Sequence, residues 1–134
     1  GATIPPEDWL ATKAVVDVDG NSNSWAGCFW KLGSNSVVLK VVTELRQWYY
    51  PLVVANTHFV PVKSALSDLN KRLREALDPA NDASMRKIAD AATALMNSTH
   101  MRYGPTSDVF ARYLAQRFAR HDGGAPVPVI HPAL

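Results

Sequence analysis

Two short β-branched runs, Lys13-Ala-Val-Val-Asp-Val-Asp19 and Ser36-Val-Val-Leu-Lys-Val-Val42, constrain this chain more than any other feature. Their apolar residues are consecutive rather than alternate, the pattern of strands covered on both faces in a parallel sheet. Parallel neighbours need a crossover, and the residues between the runs supply one. Gly20 to Ser24 form a turn, Asn23 or Ser24 caps a helix from about Trp25 to Leu32, and Gly33 takes the C′ position. Trp25, Phe29 and Leu32 fall on one face of that helix. The expected unit is βαβ with a right-handed crossover. A buried strand that feeds a small-residue turn and then a helix points backbone N–H groups at one spot, which suits a phosphate.

Beyond this unit, Thr43-Glu44 predicts the start of another helix carrying Leu45, Trp48, Tyr49 and Leu52, with Pro51 limiting its regularity. His58-Phe-Val-Pro-Val62 predicts a third short strand, placed near an edge or an end by Pro61. From residue 64 onward the periodicity is helical. Ser67 is the expected cap of a helix over 68–77 whose Leu69, Leu73 and Leu77 share a face. Asp78-Pro-Ala-Asn-Asp82 breaks it. A longer helix from about Ala83 to Met96 buries Ile88, Ala92 and Leu95, and a last one from about Thr106 to His121 buries Val109, Tyr113 and Phe118. The expected organisation is a lead-in segment over 1–12, one α/β domain over 13–122, and a Pro-rich extended tail over 123–134. Pro5-Pro6-Glu7-Asp8 suits the first turn of a short helix. With so little before the first buried strand, a chain cut from something longer is expected.

With 134 residues, one core is expected, and 47% apolar against 19% charged residues is the balance of a folded domain. A net charge of +2, with basic residues scattered among acidic ones, argues against a nucleic-acid partner. No apolar run approaches the roughly 18 residues of a membrane span, and the N-terminus lacks a signal-peptide pattern. The single cysteine, Cys28, excludes an internal disulfide framework and a cysteine-built metal cluster. Asn97-Ser98-Thr99 matches the N-glycosylation pattern, which matters only in a secretory compartment. His100, His121 and His131 lack metal-ligand spacing, and His58 reads as a structural histidine. Trp48-Tyr49-Tyr50 reads as core, with a sugar platform as the alternative.

Asp17-x-Asp19-Gly20 after an apolar strand admits more than one meaning. Paired aspartates at a strand end serve a Mg²⁺-dependent phosphatase as nucleophile and acid. A purely structural pair that ends the strand and bonds its turn is the plainer alternative. An EF-hand loop counted from Asp17 puts Ser22 and Cys28 where Gly and Glu belong, so that meaning fails.

A third meaning rests on resemblance. Asp17-Val-Asp-Gly-Asn with Trp25-Ala-Gly-x-Phe, then Gly33-Ser-Asn-Ser-Val-Val-Leu-Lys, Glu44 ahead of Trp48-Tyr-Tyr-Pro-Leu, His58-Phe-Val-Pro-Val and Ser67-Asp-Leu follow one another in order. Over about residues 13–120 this resembles the lipopolysaccharide-modifying, capsule-associated glycosyltransferases, glycosyltransferase family ninety, which include protein O-glucosyltransferases and fungal xylosyltransferases. The resemblance implies the C-terminal, Rossmann-like, nucleotide-binding half of a GT-B enzyme, with a short parallel sheet and C-terminal packing helices. It implies a nucleotide-sugar donor of the UDP-sugar type and metal-free, inverting transfer of a hexose or pentose to a glycan or protein hydroxyl acceptor, without a cofactor. The general base would come from an N-terminal domain that this chain does not contain, and the compartment would be the lumen of the endoplasmic reticulum or Golgi.

By the same analogy Gly20, Asn21, Ser24, Trp25, Ala26 and Gly27 approach the diphosphate and donor sugar, and Glu44 accepts hydrogen bonds from the ribose hydroxyls. Ser34, Asn35 and Ser36 either line that pocket or serve only as helix stop and strand start. Cys28 stands where the family commonly places an arginine that pairs with the diphosphate. Lys31, one turn on, would substitute only as a point charge. The departure makes a non-catalytic sugar-nucleotide-binding or scaffold domain the alternative reading.

Overall fold

The computed structural model describes residues 8, 11–24 and 26–101. Trp25, the helix expected over 106–121 and the Pro-rich tail lie outside the described residues.

Strand β1 (Ala14–Asp17), helix α1 (Ala26–Leu32) and strand β2 (Val37–Val41) form the expected βαβ unit, and strand β3 (Val60–Val62) follows. The sheet is parallel with order β1-β2-β3. Central β2 is buried at every position, which explains why its apolar residues run consecutively. Asp17 pairs in register with Lys40, and Lys40 with Pro61, so the carboxyl ends of the strands lie level.

Both faces of the sheet are covered. On one, Cys28 and Leu32 of α1 pack with Val15, Val38, Tyr49 and Phe59. On the other, helices α2 (Leu69–Leu77) and α3 (Asp82–Asn97) pack Ala76 and Ala89 against Val37, Leu39, Val41, Val60 and Val62. Helix α3 also turns Ala92, Leu95 and Met96 toward the first face. At about 25 cal/mol per Å² of apolar surface removed from water, such two-sided burial is the main stabilising contribution.

Four local expectations give way. The segment after β2 is not a helix from Thr43-Glu44: it is irregular up to a single 3₁₀ turn at Tyr50–Leu52, with Pro51 inside that turn. Trp48 and Tyr50 each meet the Tyr49 ring edge-on, at 5.3 and 5.1 Å between centroids, so their spacing reflects an aromatic cluster rather than a helix face. Ser67 does not cap α2; Asp68 precedes the helix, and its carboxylate accepts a hydrogen bond from the Lys63 N–H at 2.9 Å instead. Leu77 is exposed, and Ala76 is the buried residue of that helix. After α1 the left-handed residue is Asn35, with φ 62°, rather than Gly33, whose position for a Cβ lies 3.6 Å from Met96 Cβ.

Candidate functional site

The strand ends bring together four charged side chains. Asp17 closes β1 facing α1 and is fully buried. Its Oδ1 lies 2.9 Å from Lys31 Nζ, and its Oδ2 lies 2.8 Å from Lys40 Nζ and accepts the Ser24 hydroxyl at 3.1 Å. Burial alone raises the Asp17 carboxyl, but the hydrogen bonds and charges of Lys40 and Lys31 outweigh it, and its pKa lies below the ordinary carboxylate value. Burial likewise pushes the Lys40 ammonium down, and the bond to Asp17 more than restores it, so both ions stay charged. Lys40 also sits over the Tyr50 ring, 4.9 Å from its centroid.

Asp19 organises the turn. Its Oδ1 accepts the Ser24 N–H at 2.9 Å, and its Oδ2 accepts the Thr43 hydroxyl at 2.6 Å, tying the loop after β1 to the loop after β2. Asn23 adds a second tie, its Nδ2 donating to the Arg46 carbonyl at 3.0 Å. The Asp17 and Asp19 side chains are 0% and 2% exposed, so neither carboxylate presents an accessible nucleophile to a phosphate ester. The pair acts as a structural brace.

Beside this brace, at the carboxyl end of β2, lies a cleft of about 160 Å³ with Lys40, Thr43, Arg46 and Tyr50 along it and Val42 and Phe59 among its apolar walls. The carboxyl edge of a parallel sheet is where α/β folds of this type bind ligands. A larger cleft of about 620 Å³ lies at the opposite edge, along Lys13, Ser34, Asn35, Asp82 and Arg86, with Lys13 paired to Asp82.

None of Gly20, Asn21, Ser24, Ala26, Gly27, Cys28, Lys31 and Glu44 lines the cleft at the carboxyl end of β2. Gly20, Asn21 and Ala26 are exposed near the carboxyl edge, and Ser24 and Gly27 are half-buried there. Gly20 N–H bonds Ser22 O, Ser24 N–H bonds Asp19, and Gly27 N–H bonds Ser24 O, so these three donors are used within the turn. Cys28 points into the core at 0% exposure; burial, then the nearby Asp17 charge, pushes its thiol up to about 11. Lys31 is committed to Asp17. Glu44 is exposed on the loop after β2, next to the cleft residue Thr43. Ser34, Asn35 and Ser36 are not part of this edge. Ser36 Oγ bonds the Thr12 carbonyl ahead of β1, and Ser34 and Asn35 line the far cleft.

Lys40, Thr43 and Arg46 are not legible as cleft residues in the sequence, and Tyr50 is legible only as part of the Trp48-Tyr49-Tyr50 run, whose alternative reading is a sugar platform. One signal pointed to Lys40: a lysine between Leu39 and Val41 in a fully apolar strand requires a buried counter-charge, and Asp17 is the fourth residue of β1 as Lys40 is of β2. No group of three or more His, Cys, Asp or Glu among the described residues is placed to hold a metal ion. No helix among the described residues is long and apolar enough to cross a membrane. Searched against models of known protein families, the chain matches none.

Proposed function

We propose that this chain is the donor-binding part of a glycosyltransferase that uses a nucleoside-diphosphate sugar of the UDP type. The observation that carries the reading is the cleft at the carboxyl end of β2, beside the Gly20–Ser24 turn, on a parallel α/β sheet. Its volume is about 160 Å³, below the 300–1,000 Å³ of typical small-molecule pockets, so it takes only part of such a donor. The remainder of the donor and the hydroxyl acceptor would be held by a second lobe facing this edge, which would also supply the general base. Exposed Val18, Val42 and Leu45 near the strand ends suit a face that another lobe covers.

A second reading, a nucleotide-binding or scaffold domain without catalysis, is favoured by one observation. Cys28 is in the core and Lys31 is spent on Asp17, so neither offers a cation to a diphosphate. Titration calorimetry of the full chain with UDP and UDP-sugars, with and without Mg²⁺, tests both. Metal-independent UDP binding is expected, and absence of nucleotide binding overturns the donor reading. Sugar transfer on adding the second lobe separates the enzyme from the scaffold.

A further inference from the structure

Of the seven asparagines, Asn97 alone has a Ser or Thr two residues on, in Asn97-Ser98-Thr99. Helix α3 ends at this residue. Ala83, Lys87, Asp90, Ala94 and Asn97 follow one another at intervals of four and three residues, and all are exposed. Asn97 thus closes the outward stripe of a helix whose inward stripe is Ala89, Ala92, Leu95 and Met96. Its side chain makes no hydrogen bond among the described residues, whereas Asn23 and Asn81 donate theirs to the carbonyls of Arg46 and Glu75. Ser98 then leaves the helix with extended backbone, φ −69° and ψ 160°, and its N–H and hydroxyl both donate to the Leu95 carbonyl, at 3.0 and 2.6 Å. Side chains that flank an extended residue turn to the same side, whereas a continued helix sets them about 200° apart. Thr99 is exposed as well.

We propose that Asn97 is an attachment site for an N-linked glycan, with Thr99 supplying the hydroxyl that the transferring enzyme reads. The donor is a lipid-diphosphate-linked oligosaccharide of the secretory lumen. Asn97 Nδ2 bonds C1 of its first sugar, the bond from C1 to the diphosphate oxygen breaks, and the lipid diphosphate leaves. One amide proton passes to a base of the transferring enzyme, and nothing is oxidised or reduced. A glycan is bulky and needs a surface position, which the outward stripe of α3 provides without disturbing the core. The position also keeps the glycan away from the cleft. Met96 Cβ lies 3.6 Å from the place of a Cβ on Gly33, and Thr93 Oγ1 accepts the Asn35 N–H at 3.1 Å, so this end of α3 sits against the residues that enter β2. The cleft lies where β2 ends. The proposal is independent of what that cleft binds.

The test is expression of the full chain behind a cleavable leader that carries it into the secretory lumen of a eukaryotic cell, with secreted and retained chain both scored. Attachment takes place as the chain enters the lumen, so a variant that folds poorly is still read. One glycan is expected, and peptide-N-glycosidase in ¹⁸O-labelled water is expected to remove it and leave a labelled aspartate at position 97. Asn97→Gln and Thr99→Ala are expected to lose the whole mass shift and Thr99→Ser to keep it. Since both side chains are exposed, the melting temperatures of these variants are expected to match that of the glycosidase-treated chain. Release of the glycan from the folded chain without denaturant is expected. A chain whose leader is removed but which carries no glycan, or a Thr99→Ala chain that keeps one, overturns the site. Release only after unfolding overturns its placement on the outward stripe.

Discussion

The Asp17 carboxylate and the Lys40 ammonium stand opposite each other in the register of β1 and β2, 2.8 Å apart in the core. A buried pair of this kind adds little net stability when complete, because desolvating two ions offsets much of their attraction. Removing one partner is a different matter. Asp17→Asn leaves Lys40, and in part Lys31, without a counter-charge, and a loss of about 3–5 kcal/mol is expected. Urea denaturation measures it; a loss under 1 kcal/mol would mean that the lysines reach water instead. Asp17→Leu combined with Lys40→Met is expected to be less damaging than Asp17→Asn alone.

His58 is buried, and its Nδ1 accepts the Val54 N–H at 2.9 Å, which requires the neutral imidazole. Burial holds its pKa below the ordinary 6.5. The unfolded chain therefore takes up the proton first as pH falls, and stability declines from about pH 6.5 until the folded-state pKa is passed. Asp17, also held below its ordinary value, adds a second decline in the acid range below about pH 4 as its ion pairs are protonated. His58→Asn keeps an acceptor near the Val54 N–H without titrating, and is expected to flatten the first decline and leave the second. Thermal melting from pH 8 to pH 3 reads both.

Cys28 has no exposed surface, and its thiol is pushed up to about 11. Reaction with a thiol reagent at pH 8 is expected to be slow in the native chain and to speed up with urea in step with global unfolding. Rapid native-state labelling would contradict the packing of α1 on the sheet.

Leu66 holds φ at 58° with an exposed side chain, a conformation that disfavours any residue with a Cβ. Leu66→Gly is expected to stabilise the chain by up to about 1 kcal/mol, whereas Asn35→Gly and Asn56→Gly, at φ 62° each, change it less because asparagine tolerates this region. Denaturant midpoints at constant slope measure the difference.

Much of this architecture follows from local pattern. Consecutive valines marked β1 and β2 as strands buried on both faces, and the turn and helix between them required parallel pairing, which is what the chain adopts. The segment after β2 departs from its helical pattern because aromatic residues at helical spacing satisfy a helix template equally well when they cluster edge-on around Tyr49. The Asp17–Lys40–Lys31 brace depends on strand register and on the reach of a side chain from α1, neither of which is encoded by nearest neighbours. It consumes the very lysine that the sequence suggested for a diphosphate. The cleft itself arises from three separate loops and strands, so no single motif announces it.

Amide hydrogen exchange of the full chain with and without UDP locates nucleotide binding at the carboxyl edge of the sheet as well as detecting it. Slowed exchange is expected over residues 18–24 and 40–50, the loops that Asp19 and Asn23 tie together. Protection confined to residues 11–13, 34–37 and 82–89, around the far cleft, or no protection at all, would contradict it.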